Sequence, residues 1–180
     1  MLRLVLVTII AFIPEVLWCY EVLIYKNESK LVVTSGKNTI KSYKISTGRG
    51  GIGHKEQRGD NKTPIGTYRV VGFNEKSKFD YFIRLNYPNA KDAFYGYKSG
   101  KISLPTFRAI VKAVRSGKTP PQHTMLGGAI GIHGIGDETP EQLHIHNSLD
   151  WTEGCIALRN AEIQELRAFI QIGTRVVIKE

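Results

Sequence analysis

Glycine sets the strongest constraint on this chain, because 18 of its 180 residues are glycine and they divide the sequence into short segments. Glycine reaches backbone conformations that other residues avoid, so it marks turns. The stretch from Gly48 to Gly66 holds six glycines and a proline. It does not match a phosphate-binding loop, because no Gly-Lys-Ser/Thr triplet ends it and no helical pattern follows. Many turns between short segments predict a strand-rich fold.

Between these turns, hydrophobic and β-branched residues predict strands along most of the chain. The first three form an antiparallel meander, and a short apolar strand ends at His133. The predicted strands are residues 22–25, 30–34, 40–46, 68–73, 81–87, 129–133 and 174–179.

Two segments have helical periodicity. The first has Ser103 as its predicted cap and Gly117 as its end, with one apolar face made of Phe107, Ile110, Val111 and Val114. The second has Asn160 as its predicted cap and Gly173 as its end, and it buries Ile163, Leu166, Phe169 and Ile170. Residues 135–151 are predicted as a long polar connection, which in a compact domain is often functional. The fold class is therefore α+β, mainly β, with about two helices.

The N-terminal segment differs from the rest of the chain. Arg3 is followed by an apolar run to Ile13, which is typical of a secretory signal. Pro14 interrupts the run before the roughly 20 apolar residues that a spanning helix needs. We therefore expect residues 1–20 to be a signal peptide or a membrane anchor, and residues 21–180 to form one catalytic domain. An exported protein of the periplasm or cell envelope is the simplest interpretation.

The net charge of +9 favours an anionic partner. Lys and Arg are scattered, and no basic run with interleaved aromatic residues occurs, so the bacterial wall or envelope is a better match than nucleic acid. The apolar N-terminal run, although it is interrupted at Pro14, leaves a membrane tether through the N-terminus open.

Cys155 is the cysteine that remains once the leader is set aside, so it has no partner for an internal disulfide. A thiol becomes a nucleophile when a nearby histidine lowers its pKa or takes its proton. His133 is the best candidate base, because it ends a strand before Gly134 and could be held rigidly there. The alternative is that Cys155 packs as a small hydrophobic residue and that His133 is a satisfied, partly buried histidine.

The turn around Gly154 could serve catalysis directly. Gly154 allows close approach of a substrate, and backbone amides at 154 and 155 could face the oxygen of an attacked carbonyl. The Gly134 carbonyl could orient the imidazole. His144 and His146 could be zinc ligands with Asp137 or Asp150, but the His-x-His alternation lacks a second ligand pair, so a plain loop surface is the stronger interpretation.

Four segments in order resemble the L,D-transpeptidase catalytic domain, the YkuD-like family of bacterial cell-wall enzymes. They are "GDNKTPIGTYRV", "RLNYPNAKDA", "GGAIGIHG" and "TEGCIALRN", and the resemblance runs from about residue 22 to 178. The family's nucleophile motif is matched at His133, Gly134, Thr152, Gly154, Cys155, Ile156, Leu158 and Asn160. Two positions depart from it: Glu153 replaces the usual His, and Ala157 replaces the usual Arg.

The resemblance implies a mixed β-sandwich and a cysteine enzyme without metal or organic cofactor. Cys155 would attack a peptidoglycan stem peptide and form a thioester, with His133 as base and the Gly134 carbonyl orienting its ring. The residues that would bind the oxyanion or the substrate are Thr152, Gly154, Ile156 and Asn160. Residues 86–126 would form a lid or cleft wall.

Three outcomes remain open at this point. An amine acceptor would make the protein a transpeptidase, and water would make it an L,D-carboxypeptidase or amidase, which the divergent "TxGCIAL" form also resembles. A catalytically silent wall-binding domain would keep the cleft without the reaction. The oligomeric state is not predicted.

Overall fold

The structure is a computed structural model that describes residues 20–180. Within this range eight strands form one mixed sheet in the order β3-β2-β1-β8-β4-β5-β6-β7. The strands are β1 (Tyr20–Tyr25), β2 (Lys30–Ser35), β3 (Asn38–Lys44), β4 (Gly66–Ser77), β5 (Asp80–Leu85), β6 (Gly131–His133), β7 (Ile156–Ala157) and β8 (Arg175–Lys179). The predicted α+β, mainly β class is confirmed. The predicted leader, apart from Tyr20, lies outside the described residues.

The sheet begins with the predicted meander of β1, β2 and β3, which are joined antiparallel. The last strand, β8, then inserts in parallel beside β1 and antiparallel to β4. This brings the C-terminal strand to the centre of the sheet, where Val176 and Ile178 are almost fully buried. Val177, between them, is only partly buried, so one face of this strand packs on the main core.

β5 shows how the sheet separates its core from the functional face. Tyr81, Ile83 and Leu85 are buried in the main core, whereas Phe82 and Arg84 alternate with them and point to the opposite face. β6 pairs antiparallel with β5, with His133 opposite Phe82. His133 therefore extends from the same face as Phe82.

Four α-helices are present in the described part of the chain, which is more than the two that periodicity predicts. They are α1 (Ala90–Lys98), α2 (Leu104–Arg115), α3 (Pro140–Ser148) and α4 (Asn160–Leu166), and a 3-10 turn follows at Arg167–Phe169. α2 begins after Ser103, whose side chain accepts a hydrogen bond from Thr106 N, so this predicted cap is confirmed. α1 and α3 are additions, and α3 replaces much of the predicted polar connection.

The predicted cap of α4 is wrong by one residue. Arg159 is the N-cap residue, and its amide donates to Glu162 Oε2 at 3.0 Å. The Asn160 side chain does not cap the helix because it binds the loop after His133.

A second, smaller core joins α1 and α2. It contains Ala93, Ile102, Ile110 and Leu126. Residues 20–180 contain no helix that is both long and apolar enough to cross a bilayer.

Candidate active site

His133 is held at the end of β6 inside a cage of aromatic rings. Its ring stacks on Phe79 at 4.3 Å between centroids and lies nearly parallel to Phe82 at 5.9 Å. Trp151 approaches edge-on at 6.1 Å. Only 2% of His133 is exposed, so the imidazole has little freedom to turn.

The tautomer of His133 follows from its main-chain contact. Nδ1 lies 2.6 Å from the carbonyl oxygen of Gly134. A carbonyl oxygen can only accept, so Nδ1 carries the hydrogen and donates it. Nε2 is then the unprotonated nitrogen, which is the form that a general base requires.

Burial keeps this imidazole neutral. Desolvation is the largest cause that lowers the His133 pKa to about 4, and the nearby His146 and Lys78 lower it further, against the opposing hydrogen bond to Gly134. At neutral pH the ring is therefore uncharged and ready to accept a proton.

Cys155 lies immediately before β7, which pairs in parallel with β6 so that His133 is opposite Ala157. Side chains two residues apart on a strand share a face, so Cys155 is on the same face as His133. Standard strand spacings put their Cα atoms about 8 Å apart. Both residues line one open cleft of about 970 Å³.

The thiol is protonated at rest. Cys155 Sγ lies 3.3 Å from the carbonyl oxygen of Ala129, to which it donates. Desolvation raises the Cys155 pKa to about 11, and Glu153 raises it as well, whereas the Gly131 backbone hydrogen bond and the charge of Lys55 lower it. The resting pair is therefore a neutral thiol and a neutral imidazole.

The turn before Cys155 is braced by Thr152. Its hydroxyl donates to Cys155 O at 2.7 Å and accepts from Gly154 N at 3.1 Å. Gly154 has φ +124°, and a Cβ there would lie 2.7 Å from Lys62 O. The Gly154 N–H is thus engaged by Thr152, which leaves the Cys155 amide as the better candidate for binding an oxyanion.

Asn160 and Ile156 lie around the site and not at its surface. Asn160 Oδ1 accepts from Ile135 N at 3.0 Å and Gly136 N at 3.2 Å, and its Nδ2 donates to Gly136 O at 2.6 Å. Ile156 is fully buried in the main core. These contacts suit residues that hold the strands and the His133 loop in place, and a direct contact of either with substrate stays a prediction.

Gly134 is required by the same loop. A Cβ at this position would lie 2.6 Å from both Asn160 Oδ1 and Phe79 O. A side chain would therefore displace the loop whose carbonyl orients His133.

The two departures from the family motif have different surroundings. The Glu153 side chain is 80% exposed and lies 3.4 Å from Arg49 Nη2 across the cleft. Ala157 is fully buried, and its amide and carbonyl both bind the backbone of Ser46. The site of the missing Arg is therefore closed by β7 packing.

Positive charge reaches the cleft from other elements. Six cationic residues line it, and Glu153 is the acidic residue among its lining residues. The cations are Arg49, Lys55, Arg58, Lys76, Lys78 and Arg84. Sequence reasoning did not single them out, and their scatter along the chain offered no local signal.

Residues 86–126 are predicted as a lid or cleft wall. Their C-terminal end and the loop that follows it reach the cleft. Gln122 and His123 line the cleft. Gln122 accepts from Ala129 N at 2.7 Å and donates to Tyr87 O at 3.0 Å, so it fixes the loop that contacts Cys155 Sγ. α1 borders a second cavity, and α2 lines a separate one.

The alternative zinc site is not assembled. Within residues 20–180, no group of three or more His, Cys, Asp or Glu residues is placed to hold a metal ion. His144 is exposed on α3, whereas His146 is buried and accepts from Trp151 Nε1 at 3.4 Å.

The chain is similar to several known proteins in sequence and fold. YafK of Escherichia coli strain K12 is 39% identical over 61 residues, which cover 33% of this chain and 25% of YafK. The helical cell shape determining protein Pgp2 of Campylobacter jejuni is 26% identical with a TM-score of 0.57, covering 90% of this chain and 48% of Pgp2. An L,D-transpeptidase of Mycobacterium smegmatis shares the fold at 10% identity and a TM-score of 0.52, with 90% of this chain and 59% of that protein covered.

The matched segment is a quarter of YafK, and this chain covers about half of Pgp2. The L,D-transpeptidase catalytic domain family matches residues 20–178, almost all of the described range. The chain therefore belongs to the L,D-transpeptidase catalytic domain family.

Proposed function

We propose that this protein is an exported cysteine L,D-transpeptidase that acts on peptidoglycan stem peptides in the periplasm or cell envelope. The observation that supports it most directly is the placement of Cys155 and His133 on one face of the sheet, in one cleft, with the imidazole held in its basic tautomer by Gly134 O. The likeness to Pgp2, described as a helical cell shape determining protein, supports a role in shaping the wall.

In the first half-reaction, Cys155 Sγ attacks the carbonyl carbon of the L-centre of the third stem residue. His133 Nε2 accepts the thiol proton, and the carbonyl oxygen becomes an oxyanion near the Cys155 amide. Collapse breaks the bond to the terminal D-alanine, whose nitrogen takes the proton from His133. A thioester and free D-alanine result.

In the second half-reaction, the amine of another stem peptide attacks the thioester carbonyl. The amine loses a proton to His133 Nε2, the C–S bond breaks, and the thiolate takes a proton back. The product is a 3-3 crosslink, and cysteine is regenerated. Water in place of the amine gives a trimmed tripeptide by the same steps.

The neutral resting states of the Cys155 thiol and the His133 imidazole determine when the thiol proton moves. A thiol with a pKa near 11 beside an imidazole with a pKa near 4 does not form a thiolate and imidazolium pair by itself. Proton transfer therefore accompanies attack on a bound carbonyl, where the oxyanion is stabilised. Substrate binding becomes the step that activates the cysteine.

The test is mass spectrometry of the purified full chain incubated with disaccharide-tetrapeptide, with Cys155→Ala as control. Dimeric product with loss of D-alanine supports transpeptidation, and a tripeptide with loss of D-alanine supports the hydrolytic alternative. Unchanged substrate would overturn the proposed reaction and favour a silent wall-binding domain. Equal processing by Cys155→Ala would overturn the assignment of Cys155 as the nucleophile.

A further inference from the structure

Lys55 is a buried lysine between two cavities. Its side chain is 4% exposed, yet it lines both the cleft of Cys155 and a second cavity of about 470 Å³ beside α1. Lysine is almost never so buried unless its charge is paired. The proposed reaction assigns no role to it.

The ammonium group is fixed by two acceptors in its own loop. Lys55 Nζ donates to Asp60 Oδ1 at 2.7 Å and to Gln57 O at 3.1 Å. An ammonium has three hydrogens, so one is left for another partner. The side chain is thus anchored without using all its donors.

Asp60 is itself held firmly. Its carboxylate accepts from the backbone amides of Glu56, Gln57 and Lys62 at 2.7, 3.0 and 3.2 Å. Burial would raise the Asp60 pKa, but the hydrogen bonds from Lys55 and these amides outweigh it and lower the pKa below its ordinary value. The carboxylate stays charged and keeps Lys55 in place.

Lys55 is linked to Cys155 through one short loop. A Cβ built on Gly127 would lie 3.5 Å from Lys55 Cε, and two residues later Ala129 O contacts Cys155 Sγ. The positive charge of Lys55 is also among the causes that lower the Cys155 pKa.

Other charged or titratable groups line the two cavities that Lys55 lines. On the cleft side these are Arg49, Arg58, Lys76, Lys78, Arg84, His123, His133 and Glu153, and on the side of the second cavity they are His54, Glu56, Asp92, Lys98 and Lys101. Glu56 is paired with Lys101 at 3.0 Å and Asp92 with His54 at 3.2 Å. Both acids of the second cavity thus have partners of their own.

We propose that Lys55, anchored by Asp60, is the fixed positive charge that stabilises negative charge as it develops at Cys155 Sγ and on the attacked carbonyl oxygen. It serves in the place left by the missing Arg, because Ala157 is closed into β7 and offers no cation. A neutral imidazole supplies no positive charge before proton transfer, so a permanent cation in the cleft has its largest effect early in the attack. This inference rests on the proposed function and deepens it. The charge of Lys55 also acts on the thiol when no substrate is bound.

The experiment measures the alkylation rate of Cys155 by iodoacetamide from pH 7 to 10 in the full chain, using mass spectrometry of the Cys155 peptide. We expect Lys55→Met to lower the rate at pH 8 by about tenfold, which corresponds to about one unit in the thiol pKa. Lys55→Arg should stay within about twofold of the wild type. Lys101→Met removes a lysine from the far side of the second cavity and should change nothing.

Loss of Lys55 alone leaves Asp60 buried without its cation, so folding needs its own control. Lys55→Met/Asp60→Asn removes both charges, and thermal unfolding identifies the variants that are folded. We expect the folded double variant to remain as slow as Lys55→Met. Wild-type alkylation at every pH in a folded variant without Lys55 would overturn the inference.

Turnover of the tetrapeptide separates this inference from the proposed function. Slow alkylation in Lys55→Met with an inactive wild type keeps the inference and rejects the proposed reaction. An active wild type, with alkylation and kcat that do not change in Lys55→Met, rejects the inference and keeps the proposed reaction.

Discussion

The Asn160 clamp makes a prediction that the structure quantifies. Asn160→Ala removes three hydrogen bonds that hold residues 135 and 136, and each is worth about 1 kcal/mol net. We expect the free energy of unfolding to fall by about 2–3 kcal/mol, and the melting temperature by roughly 5–10 °C for a domain of this size. The released loop also carries Gly134 O, so His133 loses its orienting acceptor and kcat should fall at least tenfold.

Asn89→Ala is the matched control for that prediction. Asn89 also makes three hydrogen bonds, but they cap α1: Oδ1 accepts from Lys91 N and Asp92 N, and Nδ2 donates to Thr67 O. A similar loss of stability is expected, without the loss in kcat. Asn160→Asp keeps Oδ1 but turns a carboxylate oxygen towards Gly136 O, so it should retain part of the stability and little activity.

Thermal unfolding, turnover and the NMR signal of the His133 Nδ1 proton measure the three effects separately. The reasoning is refuted if Asn160→Ala keeps the wild-type melting temperature, or if it loses no more activity than Asn89→Ala.

Three further predictions concern the cleft. The pKa of His133 is lowered to about 4 in the folded protein, so below the ordinary histidine pKa of about 6.5 the unfolded chain binds more protons than the folded one. Urea unfolding should therefore give a free energy of unfolding that is highest above about pH 6.5 and falls by up to about 3 kcal/mol as the pH drops towards 4. A flat profile would contradict this. Gly154→Ala adds a Cβ 2.7 Å from Lys62 O at a positive φ, so turnover should be lost, and a fully active variant would show that the turn is free to move. Glu153→Gln removes a charge that raises the Cys155 pKa, so iodoacetamide should react faster at pH 8, whereas an unchanged rate would show that solvent screens this exposed carboxylate.

The elements that sequence patterns predicted are those whose signal is local. α2 has an apolar face and a Ser103 cap, and both are present in the structure. α3 was missed because its residues "PEQLHIHNS" have no apolar stripe, although Thr139 followed by Pro140 is a helix start signal. α1 was also missed, because aromatic residues and Gly96 obscure its pattern, yet Asn89 and Asp92 form a capping box.

The residues of the candidate site divide in the same way. Cys155, His133 and Gly134 could be named because their residue types limit what they do. The aromatic cage could not, since Phe79 and Phe82 reach His133 only through the pairing of β5 with β6. Lys55 needed the structure too, because its burial depends on a loop that folds around Asp60.

The protonated state of Cys155 also bears on where such an enzyme can work. Oxidation proceeds through the thiolate, so a thiol whose pKa lies near 11 is almost entirely in the less reactive form at neutral pH. In the exported location that we propose, a lone and permanently activated thiolate would be exposed to oxidants between turnovers. A thiol that donates to Ala129 O at rest, and loses its proton to His133 only when a carbonyl is bound, avoids that exposure. The raised pKa of the resting thiol is therefore compatible with catalysis, provided that substrate and a fixed cation supply the missing stabilisation during attack.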